Sequence, residues 1–97
     1  LGQFRFDSED QLKYVESILA SDPTTANLIL TNKIFALTEL FFDIRQMWTP
    51  APKQRLAEIQ KIKPDFYSLL QQFYQEQITL KDKLEMAKKI VPIVFQK

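Results

Sequence analysis

The only glycine in this chain is at position 2, so no later residue can take up a left-handed turn without steric cost. Two-residue β-hairpins depend on such positions, and their near absence argues against an all-β fold and for helices. Prolines at 23, 50, 52, 64 and 92 then divide the chain into stretches with helical periodicity.

The first stretch predicts a helix from Asp7 or Ser8. Ser8 and Gln11 have capping-box spacing, and Leu12, Val15, Ile18 and Leu19 follow the i, i+3, i+4 rule. Phe4 and Phe6 precede that cap and are expected to fold back as a hydrophobic lid or staple. Asp22 and Pro23 suit the cap and first position of a long central helix running to about Trp48. Its seam is Leu30, Ile34, Leu37, Phe41, Ile44 and Trp48, a heptad spacing suited to near-antiparallel neighbours. A second stripe of Leu28, Phe35 and Phe42 repeats every seven residues on another side, so it suits either central burial or contact with a second chain.

Residues 49–52, Thr-Pro-Ala-Pro, form a stiff corner that no helix crosses. A short helix over Lys53–Ile62 follows, with Leu56, Ile59 and Ile62 inward and Lys53, Arg55, Glu58 and Lys61 outward. Lys63-Pro64-Asp65 opens a fourth helix with Phe66, Leu69, Leu70 and Phe73 on one face and Tyr67 and Tyr74 on its flank. Thr79, three residues before Asp82, caps a fifth helix carrying Leu80, Leu84, Ala87, Val91 and Val94, in which Pro92 is expected to impose a kink or a stop. The expected architecture is a single all-α domain over 1–97, an antiparallel bundle of about five helices.

Composition narrows the chemistry. With no cysteine there is no disulfide, thiolate zinc site or thiol nucleophile, and with no histidine the commonest general base near neutral pH is missing. One glycine cannot build a phosphate-cradling loop. The net charge of +1 divides unevenly: residues 1–50 carry four basic and seven acidic side chains, and residues 51–97 carry nine and five. Such a dipole suits a charged partner, or simply draws the halves of a bundle together. The basic excess is too small for a dedicated nucleic-acid binder. No apolar stretch approaches the roughly 20 residues of a membrane span, and no charged-then-apolar leader opens the chain, so a cytoplasmic location is expected.

Two constellations stand out. Glu39 and Asp43 lie one turn apart and repel, so the spacing predicts a facing lysine or arginine, or an ion that they would ligate with a third group. Arg45, Trp48, Lys53 and Arg55 surround the proline corner, setting aromatic surface beside cations. That pattern suits a stacked, anionic ligand, or equally a tryptophan that plugs the core beside solvated cations. Leu28, Phe35, Phe42, Tyr67 and Tyr74 are the candidate interface residues.

The run Ile34-Phe35-Ala36-Leu37 through Phe41-Phe42, then Arg45, Trp48, Pro50, Pro52-Lys53, Leu56, Ile59 and the break at Lys63-Pro64-Asp65-Phe66, resembles a known helical pattern. It is similar to the helical domain that follows the catalytic domain in nucleotidyltransferase-like proteins of the kanamycin nucleotidyltransferase type, over about residues 34–95. The resemblance implies a non-catalytic, substrate-side or dimer-forming module. Its magnesium and nucleotide triphosphate would belong to an upstream catalytic domain with a Gly-Ser motif, which this chain lacks. The opening residue, Leu1 rather than methionine, suits such a segment. The alternative is a helical protein-interaction or homodimerising module unrelated to nucleotidyl transfer.

Overall fold

The computed structural model describes residues 2–96, and these form five helices: α1 (Gly2–Ile18), α2 (Pro23–Ile44), α3 (Pro52–Ile62), α4 (Pro64–Phe73) and α5 (Leu80–Val94). The fold is all-α, as expected.

Three helix starts follow from local chemistry. The Asp22 side chain accepts from the Thr25 amide at 3.2 Å with Pro23 at the first helical position of α2. Thr79 Oγ1 accepts from the Asp82 amide at 3.1 Å and starts α5. Pro64, whose missing N–H is no loss in a first turn, starts α4 directly after Lys63, which also ends α3.

Other boundaries differ. Helix α1 begins at Gly2, so Ser8 is mid-helix and fully buried instead of a cap, and its hydroxyl has no hydrogen-bond partner. Phe4 and Phe6 are helical and exposed; they do not fold back as a lid. Helix α2 ends at Ile44, not Trp48, because the backbone turns left-handed at Gln46 (φ 56°). There the amides of Gln46 and Met47 return to the carbonyls of Asp43 and Phe42 at 3.0 Å each, a Schellman closure. Pro92 does not stop α5, which continues to Val94. So near the helix end, the amide it lacks leaves little further ladder to break.

Helix α5 packs against α1, α2 and α4, and α3 packs on α4. The seam Leu30, Ile34, Leu37 and Phe41 is buried as expected, joined by Leu12, Val15, Ile59, Phe66, Leu70, Phe73, Leu84, Ile90, Val91 and Val94. Phe41 is central, meeting the Phe42 ring edge-on at 5.2 Å and the Phe66 ring at 5.1 Å. Each fully buried phenylalanine stabilises the fold by about 2 to 3 kcal/mol. Of the second stripe, Phe42 takes the central-burial alternative and not the interface one, at 1% exposure. Helix α3 also departs from its expected orientation: Leu56 and Ile62 are exposed while Arg55 is buried.

The acidic and basic halves meet at defined points. Lys88 on α5 reaches Glu16 on α1 at 3.1 Å, and Lys83 on α5 donates to Asn27 on α2 at 3.4 Å. Among the described residues no helix is long and apolar enough to cross a membrane.

Candidate docking site around Trp48

The α2–α3 link, residues 45–51, and the first turn of α3 hold the sequence-predicted site: Arg45 and Trp48 on the link, Lys53 and Arg55 on α3. Arg45 on the link and Arg55 on α3 both turn inward, to backbone and hydroxyl oxygens. Arg45 stacks its guanidinium 3.8 Å from the centre of the Phe41 ring. Its Nη1 donates to the carbonyls of Phe41 (3.0 Å) and Val94 (3.1 Å), and Nη2 donates to that of Gln96. Partial burial holds its pKa below the usual arginine value. Helix C-termini leave carbonyls without amide partners, and Arg45 supplies donors to two such ends at once.

Arg55 is only 7% exposed. Its Nε donates to the Pro50 carbonyl at 3.1 Å and its Nη1 to Thr38 Oγ1 at 3.1 Å, while the guanidinium lies 5.1 Å from the centre of the Phe35 ring. Thr38 in turn donates its hydroxyl proton to the Phe35 carbonyl at 2.6 Å. The link is therefore tied back onto α2 at Pro50 and closed by Schellman bonds at Gln46 and Met47.

Between those two ties stands Trp48, 96% exposed. It does not plug the core. Met47 beside it is also exposed, and Thr49 Oγ1 lies 3.5 Å from Asp43 Oδ1. Asp43, Gln46, Met47, Trp48 and Thr49 line an open depression of about 370 Å³. Lys53 is exposed and is not among these lining residues.

Glu39 and Asp43 are both exposed, and among the described residues neither forms an ion pair. Among the described residues no lysine or arginine meets them as their spacing predicts. Nor, among the described residues, does any group of three or more metal-ligating side chains gather.

Of the remaining interface candidates, Leu28 is 70% and Phe35 44% exposed on one face of α2. Tyr67 is half-buried, its hydroxyl oxygen accepting from Gln71 Nε2 at 3.1 Å. Tyr74 packs edge-on against Phe73 at 4.9 Å, and burial pushes its phenol pKa up. Sequence reasoning missed Thr38 as the Arg55 acceptor, Gln46 as the left-handed residue and Met47 as the neighbour of Trp48. None of these has a spacing signature; the nearest sequence signal is that Gln46 stands four residues before Pro50.

Comparison with known protein families, with curated proteins and with solved structures finds no match for this chain.

Proposed function

We propose that this chain is a non-catalytic helical docking module whose contact with a protein partner is centred on Trp48. One observation carries this: a tryptophan almost wholly in solvent, mounted on a link that is tied at both ends. Exposed indole costs hydration free energy, and tryptophan is among the residues most enriched at the energetic centre of protein interfaces. A braced link lowers the ordering entropy that docking must overcome.

The resemblance to nucleotidyltransferase-type helical domains supplies a specific form of this proposal, in which the partner is an upstream catalytic domain that itself carries magnesium and nucleotide triphosphate. An anionic substrate cleft built from Arg45, Trp48, Lys53 and Arg55 has less support. Both guanidinium groups already donate to internal oxygens, so only Lys53 and Trp48 present open side chains.

The test is a selection of displayed peptides against the folded chain, with Trp48→Ala as counter-target. Selected peptides should shift the Trp48 emission to the blue and bind the variant at least about tenfold more weakly, the loss of one interface anchor. Peptides that bind both proteins equally would contradict a Trp48-centred contact.

A further inference from the structure

We infer, building on the docking role of Trp48, that the group received there is a basic side chain, a lysine or arginine presented by a protein partner. The inference rests on what surrounds the indole. The depression beside Trp48 has one charged lining residue, Asp43, and one turn earlier on α2 stands Glu39. Both carboxylates are exposed and, among the described residues, neither has an ion-pair partner.

Among the described residues none of the three nearby cations, Arg45, Lys53 and Arg55, pairs with these carboxylates. Arg45 aims its guanidinium at the carbonyls of Phe41, Val94 and Gln96, and Arg55 aims its own at Pro50 and Thr38. Two like charges at i and i+4 repel one another, and an incoming cation relieves that repulsion. The indole face attracts the same cation through its quadrupole, most strongly for tryptophan among the aromatic rings. The Met47 side chain offers adaptable apolar contact for the stem of a lysine or arginine. An anionic group would instead be repelled by the two carboxylates and by the indole face, which favours a cationic occupant.

The test uses the whole folded chain, whose only tryptophan makes fluorescence specific to this position. Three peptides of equal length, rich in arginine, glutamine or glutamate, are titrated while the Trp48 emission is followed. The arginine peptide should bind about fivefold or more tightly than the glutamine peptide, as expected for one cation–π contact assisted by a carboxylate, and the glutamate peptide more weakly still. In the double variant Glu39→Gln with Asp43→Asn, the arginine preference should shrink to what the Trp48 ring alone supplies, about twofold to threefold, while the unfolding midpoint stays near that of wild type. Added salt should weaken only the arginine peptide.

Equal binding of all three peptides, or an arginine preference unchanged in the double variant, overturns the basic-partner inference and leaves the Trp48 contact standing. No emission change with any of them, together with a selection that yields no Trp48-dependent peptide, overturns both. Sedimentation that shows self-association lost in Trp48→Ala assigns the surface to a second copy, which also overturns a foreign basic partner.

Discussion

Arg45 Nη1 lies 3.1 Å from the carbonyl of Val94, a residue 49 positions later, and thereby joins the end of α2 to the end of α5. The same nitrogen donates to Phe41, and the guanidinium covers the Phe41 ring. Arg45→Ala should therefore lower stability by about 2 kcal/mol in urea unfolding, the range for hydrogen bonds from a charged donor. Arg45→Lys should restore only part of it, because an ammonium lacks the planar fork that serves several carbonyls. An alanine variant within about 0.5 kcal/mol of wild type would show the bonds to be inconsequential.

A second tie is testable through its acceptor. Thr38→Val keeps the shape of the side chain but removes the oxygen that receives Arg55 Nη1. The expected loss is about 1 to 2 kcal/mol, and a cycle with Arg55→Met should give a coupling of about 1 kcal/mol. Additive losses in that cycle would mean that the two residues act independently.

Gln46 occupies a left-handed position that glycine would fill at no steric cost. Gln46→Gly should raise stability by about 0.5 to 1 kcal/mol, the relief of left-handed backbone less the extra entropy of an unfolded glycine. A glycine variant less stable than wild type would contradict the Schellman closure.

The two phenylalanines of the second α2 stripe should respond oppositely to charge. Phe42→Asp buries a carboxylate in the core and should leave the chain unfolded, while Phe42→Ala should cost about 3 to 5 kcal/mol. Phe35→Asp, on a half-open face, should remain folded by circular dichroism. Equal unfolding by both aspartates would place Phe35 in the core as well.

The Asp22 cap sets a pH dependence. Hydrogen bonds from the Thr25 side chain and amide hold the Asp22 carboxyl below its ordinary value. A group depressed in the folded state stabilises above its unfolded pKa and loses that contribution as pH falls through its folded one. The stability difference between wild type and Asp22→Ala should thus be constant from neutral pH to about pH 5 and shrink on acidification below about pH 4. A difference that grows on acidification would reverse this assignment.

Helix starts were legible where a capping residue and a proline act together, as at Asp22-Pro23, or where a threonine stands three residues before an acid, as at Thr79 and Asp82. The heptad seam located the core of α2 through Ile44. Its end was misplaced because Trp48 continues the apolar spacing past a left-handed turn made by a glutamine, which carries no glycine-like signal. Ser8 misled in a similar way: its capping spacing is genuine, but the preceding phenylalanines join the helix. The roles of Arg45 and Arg55 could not be read locally, since the Val94 carbonyl and the Thr38 hydroxyl that receive them are brought close only by the packing of α2 with α5 and of α3 with α2.

The emission of the single tryptophan, followed in dilute protein and then with a selected peptide, bears most directly on the proposed docking role. Indole at 96% exposure should emit like hydrated tryptophan in the free chain and move to the blue when the peptide is bound. Emission already blue-shifted in the dilute free chain, and unmoved by any peptide that binds, would contradict it.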